Sequence, residues 1–152
     1  MTDLIQIETL TDAQAEELCE LYQHEWWCKG RTLDDVRVML EASSLIVAFA
    51  ERETGRLVAF SRLLTDFSLR GMIYDVIVAK EWRSQQVGRR LVDAIVTHPR
   101  LQRIEYLWLC CAPDMVPFYE KWGFDVIADD RKWMMRVQRP GTAAIAKVTA
   151  HE

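Results

Sequence analysis

Apolar residues alternate with polar ones at Ile5, Ile7 and Leu10, and the period then lengthens to that of a helix at Ala15, Leu18, Leu21 and Tyr22. Strand side chains alternate between faces, whereas helix side chains return every three to four positions, so this change of period predicts a short strand followed by a helix. Thr11 with Gln14 has the spacing of a capping box, which opens the helix there. His24 to Gly30 ends it, and Thr32 caps a second helix with Leu33, Val36, Met39 and Leu40 inward. Leu45 to Glu51 and Arg56 to Leu64 read as strands joined through Glu53-Thr54-Gly55. Met72 to Ala79 follows as a third, so three strands with short connections predict an antiparallel meander.

The next stretch organises the chain. Tyr74 to Leu91 passes from an apolar strand through a short basic and polar loop into a helix with Val87, Leu91 and Ile95 inward. The first turn of a helix leaves backbone N–H groups outside the ladder and carries about half a positive charge, which suits an anion. Arg83 adds a side-chain cation. Beyond His98-Pro99, Ile104 to Cys111 is apolar enough for a strand covered on both faces, and Pro113 leads into a short helix with Met115, Phe118, Tyr119 and Trp122 that closes at Gly123. Phe124 to Ala128 and Trp133 to Val137 flank the turn Asp129 to Lys132 and predict a final hairpin. Residues 1–138 are expected to form a single domain, with 139–152 as a loosely ordered C-terminal tail.

Composition narrows the class. The chain has 152 residues, 50% hydrophobic and 28% charged, enough for one domain with a full core. No apolar run approaches a membrane span and no secretory signal is visible, so a cytoplasmic protein with no membrane partner is expected. The net charge of −4 disfavours nucleic acid. Residues 1–60 carry 5 basic and 12 acidic side chains, residues 61–152 carry 14 and 11; an anionic cosubstrate would suit the second part and a cationic one the first. Cys19, Cys28, Cys110 and Cys111 read as free thiols, and the three histidines show no metal-ligand spacing, so no metal is expected.

Two motifs give these elements a family. Val78-Ala79-Lys80-Glu81-Trp82-Arg83-Ser84-Gln85-Gln86-Val87-Gly88-Arg89-Arg90-Leu91 resembles the acetyl-CoA loop of the GNAT N-acetyltransferases, V-x-x-x-[YW]-R-x-x-G-x-G-x-x-L, at all but one fixed place. Phe118-Tyr119-Glu120-Lys121-Trp122-Gly123-Phe124 resembles the family's later [FL]-Y-E-K-x-G-F. The resemblance implies an α/β fold of the α+β kind, with a mixed sheet of about six to seven strands, mostly antiparallel with a splayed parallel pair at the centre, and about four helices. It implies acetyl-CoA as cosubstrate, its pyrophosphate held by Arg83, Ser84, Gln85, Gln86, Val87 and Gly88 with Arg89 nearby. Val76, Ile77 and Val78 would pair with the pantetheine arm and polarise the thioester carbonyl, and Gly88 would let helix and sheet approach closely.

Tyr119 is then the candidate general acid at the departing thiolate. Asp75 is the candidate base or amine-positioning group; a carboxylate held by a neighbouring cation is the alternative, and a water chain could replace it. Trp26 and Trp27, with Tyr74 facing away from Asp75, are candidates for the acceptor pocket, although a tryptophan there could equally pack beneath the helices. Three departures stand out: Gln86 for the motif's first glycine, Ser84 for a frequent glycine, and Ala112 for a frequent asparagine. The expected reaction is direct attack of a small-molecule primary amine in a ternary complex. A non-catalytic acyl-CoA sensor or interaction module, or a protein or peptide acetyltransferase, remains open, and a homodimer is allowed.

Overall fold

The computed structural model describes residues 3–138. The strands are β1 (Leu4–Ile7), β2 (Leu45–Glu51), β3 (Leu57–Thr65), β4 (Arg70–Val78) and β5 (Tyr106–Trp108); the helices are α1 (Asp12–Gln23), α2 (Leu33–Ala42), α3 (Val87–Val96) and α4 (Val116–Glu120). They form one mixed sheet in the order β1-β2-β3-β4-β5, antiparallel except for the parallel pair β4-β5.

Both leading helices start where their caps dictate. Thr11 and Gln14 form a complete capping box, as do Thr32 and Asp35, so each N-terminus has two of its orphan groups satisfied locally. The Gln14 side chain also donates to the Gly55 carbonyl at 2.7 Å, tying the start of α1 to the β2-β3 turn.

The sheet is covered on both sides, which explains why β2 reads as an unbroken apolar run. Leu45, Val47 and Phe49 pack with Leu91 and Ile95 of α3, whereas Ile46 and Ala48 pack with Leu18, Tyr22 and Val36 of α1 and α2. Gly71 sets how closely β5 can approach. A Cβ there would lie 2.9 Å from Leu107 Cδ2, so a side chain at this position would have to displace the tip of Leu107.

The structure corrects the expected strands in three respects. Five strands form among the described residues rather than six or seven. The run Ile104 to Cys111 contributes only Tyr106–Trp108, which pairs with Arg70 to Met72 before the two strands part. Finally, Phe124 to Ala128 and Trp133 to Val137 form no hairpin; Ile127 and Met134 stand exposed, while Trp133 packs edge-on against Trp108 with centroids 4.9 Å apart. Alternation alone does not hold a two-stranded ribbon that has no face to bury. The parallel pair consequently closes one edge of the sheet instead of lying at its centre. No described helix is long and apolar enough to cross a membrane. The expected tail, 139–152, lies outside the described residues.

Candidate active site

The site is built on an irregularity in β4. Phe60 pairs with Ile77 but Arg62 pairs with Tyr74, so β4 spends three steps on two of β3's. The extra residue is a β-bulge, and Asp75 carries its left-handed backbone at φ 57°. A bulge exchanges the faces of a strand. Ile73 therefore packs in the α3 layer while Ile77 packs in the α1/α2 layer, although both are odd-numbered residues of one strand. The same shift corrects the expectation that Tyr74 faces away from Asp75. The Arg62 guanidinium touches both, lying 4.9 Å from the Tyr74 ring centroid and donating from Nε to Asp75 Oδ2 at 2.7 Å.

Asp75 is held from three sides. Its Oδ2 also accepts from the Tyr22 hydroxyl at 3.0 Å and from Arg31 Nη1 at 2.9 Å, and its side chain is only 4% exposed. Burial on its own would raise the carboxyl's pKa; the hydrogen bonds and charges of Arg31 and Arg62 outweigh it and hold the group below its usual range. Tyr22 responds in the opposite sense. Burial first, and then the Asp75 charge, push its phenol far above its ordinary value, so it remains a neutral donor.

The strand edge beside this cluster is open. Ala79 N–H donates to the Val58 carbonyl across the β3 ladder at 2.9 Å. Because alternate residues of an antiparallel strand face its partner, the main-chain groups of Val78 and Val76 point away from β3, into the gap where β4 and β5 diverge. Arg83 occupies part of that edge. Its Nε donates to the Val78 carbonyl at 3.0 Å and its Nη2 reaches Glu25 Oε1 at 2.5 Å, joining the loop ahead of α3 to the segment between α1 and α2.

That loop turns through two left-handed residues, Ser84 at φ 67° and Gln86 at φ 62°, the two departures from glycine noted in the sequence. Gln86 is the N-cap of α3 and gives no side-chain cap. The helical ladder begins with Arg90 N–H bonding to the Gln86 carbonyl at 3.0 Å, so the amides of Val87, Gly88 and Arg89 lie ahead of it. The first turn holds no acidic residue. Free amides, a helix dipole and Arg89 together fit a pyrophosphate. Val87 can offer only its backbone, since its side chain is in the core. At Gly88 a Cβ would meet Val78 Cγ2 at 3.7 Å and Phe118 Cζ at 3.8 Å, ordinary contacts; the approach of helix to sheet does not by itself demand glycine, contrary to expectation.

Tyr119 lies on α4, buried and flanked edge-on by Phe118 at 5.0 Å and Phe124 at 6.1 Å. Burial, with a smaller contribution from Cys111, pushes its phenol up to about 12. It is thus protonated at neutral pH, and its hydroxyl makes no hydrogen bond among the described residues. The two tryptophans separate. Trp26 is 66% exposed, whereas Trp27 packs edge-on to Tyr22 at 6.3 Å with Arg31 over its face at 5.6 Å.

Two side chains of this site were not singled out for it in the sequence, Tyr22 and Arg62; Arg31 belongs to the segment with Trp26 and Trp27 that was. Tyr22 is hidden in a regular helical stripe. Arg62 left a signal, a lone cation within the apolar run Leu57 to Leu64. Of two open grooves of about 440 and 490 Å³, one runs along Glu8, Glu41 and Arg100, and the other along α1 at Glu16, Glu20 and Gln23, where Arg31 of the Asp75 cluster also lines it. Neither is lined by a residue of β4.

Comparison with known proteins bears on this geometry. The family model described as Acetyltransferase (GNAT) family matches residues 2–124. The uncharacterized N-acetyltransferase ycf52 of Pyropia yezoensis is 28% identical over 123 residues, 80% of this chain and 68% of that one. Glucosamine 6-phosphate N-acetyltransferase of Candida albicans is 29% identical over 118 residues, 78% of this chain and 74% of the relative. A crystal structure from Xanthomonas campestris pv. campestris, described as belonging to the same family, superposes with a TM-score of 0.76 at 26% identity, covering 90% of this chain and 94% of that one.

Proposed function

The chain belongs to the acetyltransferase (GNAT) family, and on that premise we propose that it transfers the acetyl group of acetyl-CoA to a primary amine of a small molecule, by direct attack in a ternary complex. The observation that carries this reading is the continuity of the open β4 edge at Val76 and Val78 with the uncapped start of α3. One extended ligand with a diphosphate at one end and a carbonyl near the other fits that path. Arg83, Ser84, Gln85, Gln86, Val87, Gly88 and Arg89 would hold the pyrophosphate. The main chain of Val76 to Val78 would align the arm, and an N–H on that edge would stabilise negative charge growing on the thioester oxygen without having to reorganise.

Tyr119 supplies the proton side of the reaction. A phenol near 12 holds its proton more tightly than a thiol of pKa ~8.5, so it supports the departing sulfur chiefly by donating a hydrogen bond. Asp75 is a weak proton acceptor because its pKa is depressed. We assign it the positioning of the amine, whose proton leaves through water. Trp27 and Tyr74 flank the arginines beside it, and Trp26, next to Trp27 in the chain, is exposed. Among the relatives, those named for a substrate act on glucosamine 6-phosphate, a small-molecule amine, in keeping with this class of acceptor.

Release of free thiol from acetyl-CoA with a panel of amines tests the reading; no turnover on any amine, together with no CoA binding by calorimetry, would overturn it. Tyr119→Phe should lower kcat by on the order of 10²-fold with CoA affinity held within about threefold. A binding module would have no rate to lose.

A further inference from the structure

The Asp75 cluster holds more positive charge than its carboxylate neutralises. Arg31 and Arg62 both bond to Oδ2 of Asp75, and their side chains are only 29% and 14% exposed. No other carboxylate forms an ion pair with Arg31 or Arg62 among the described residues; Glu25 is engaged by Arg83, and Tyr22 is a neutral phenol. Within these ion pairs one guanidinium charge is therefore left over, on side chains held to a residue of β4. The donors are in surplus as well. Among the described residues only Nη1 of Arg31 and Nε of Arg62 carry hydrogen bonds, and the Oδ1 of Asp75 has none. No buried side-chain nitrogen or oxygen is left without a partner, so these remaining atoms touch solvent. They are also held in place: the Arg31 guanidinium lies 4.6 Å from the Tyr22 ring centroid and 5.6 Å from that of Trp27, and Arg62 lies 4.9 Å from Tyr74. Rigid, half-buried guanidinium groups bind an anion at a lower ordering cost than mobile surface lysines do.

We propose that the acceptor is an amine that also carries an anionic group, a carboxylate or a phosphate, which Arg31 and Arg62 bind while Oδ1 of Asp75 orients the amine. The proposal rests on the acetyl-transfer reading and adds the chemical class of the acceptor. It reverses the inference drawn from segment charge. The acidic excess of residues 1–60 suggested a cationic ligand, yet the charged side chain this segment contributes to the cluster is Arg31, which joins Arg62 of the second segment on the single carboxylate of Asp75. Amine and anion are recognised side by side, so they belong to one small molecule rather than to two ligands.

Matched acceptors on the unaltered protein test this, with kcat/KM read from thiol release and affinity from calorimetry in the presence of CoA. Amino acids against their amides probe a carboxylate; an amino sugar phosphate against the free amino sugar probes a phosphate. In at least one pair the acidic member should be favoured by on the order of tenfold or more. Arg31→Gln should bring that ratio to within about threefold, mainly through KM, and Arg31→Lys should restore part of it. Equal efficiency within both pairs overturns the proposal while acetyl transfer stands. Discrimination that survives both Arg31→Gln and Arg62→Gln overturns it too, by placing the recognition elsewhere. Absence of turnover and of acceptor binding with every amine overturns both readings. Should either variant fail to fold, the ratio on the unaltered protein decides.

Discussion

The β4 bulge and the loop ahead of α3 both carry non-glycine residues through the left-handed region, and the protein supports them in opposite ways. Such a backbone costs roughly 1–2 kcal/mol per residue. At Asp75 the cost is offset by three hydrogen bonds to one buried carboxylate oxygen, so the strained residue is also the most firmly held. Ser84 and Gln86 are exposed and receive no side-chain hydrogen bond. Where a fold over-determines a strained residue, the geometry is ready before any ligand arrives; where it does not, a ligand that bonds to the turn's amides contributes what the protein withholds.

The largest break in that comparison should come from Asp75→Ala. With two arginines left facing each other in a half-buried cluster, the variant should lose about 3–5 kcal/mol of unfolding free energy in urea titrations; a loss below about 1 kcal/mol would mean that the carboxylate does not repay the bulge. Acid comes next. The folded pKa of Asp75 is depressed, so its stabilisation is complete above the unfolded value of ~3.9 and is lost as pH falls through the folded one. The urea midpoint of the unaltered protein should therefore fall below about pH 4 more steeply than that of Asp75→Asn, which has no such proton to take up.

Smaller effects sharpen the contrast from the other side. Gln86→Gly and Ser84→Gly each remove a left-handed side chain that makes no compensating bond, and should stabilise by about 0.5–1 kcal/mol after glycine's own entropic cost. Thermal unfolding would show this as a rise of a few degrees. Gln86→Gly should also tighten CoA binding in calorimetry, and markedly weaker binding would show the glutamine to be a ligand. The smallest change is expected at Glu25→Gln. This frees Arg83, which is half exposed, and should alter stability by less than about 0.5 kcal/mol.

Much of the frame was legible because local signals and tertiary demands agree. The caps at Thr11 and Thr32, the apolar run of β2 and the amphipathic pattern of α3 each specify an element without help from distant residues. The strand-loop-helix passage into α3 was legible for the same reason. The bulge was not. Asp75 is not glycine, and what holds it comes from residues 53, 44 and 13 positions away in sequence, so the faces of Tyr74 and Ile77 could not be assigned by counting along the strand. Gly71 was likewise silent, since the contact it spares arises only when Leu107 is brought alongside. The final hairpin fails for the converse reason, a good local pattern with no surface to bury.

Arg83 gives the β4 edge a property of a different kind. An extended chain laid along Val76 to Val78 has to compete for the Val78 carbonyl with a side chain anchored only five residues further along. A tethered competitor acts at high effective concentration, so the threshold for occupying the edge depends on how often Arg83 leaves as well as on how strongly the newcomer binds. A departure that swings the whole guanidinium away would also break its bond to Glu25. In that case occupancy of the strand edge and freedom of the segment between α1 and α2 would be thermodynamically linked, each favouring the other by the same factor.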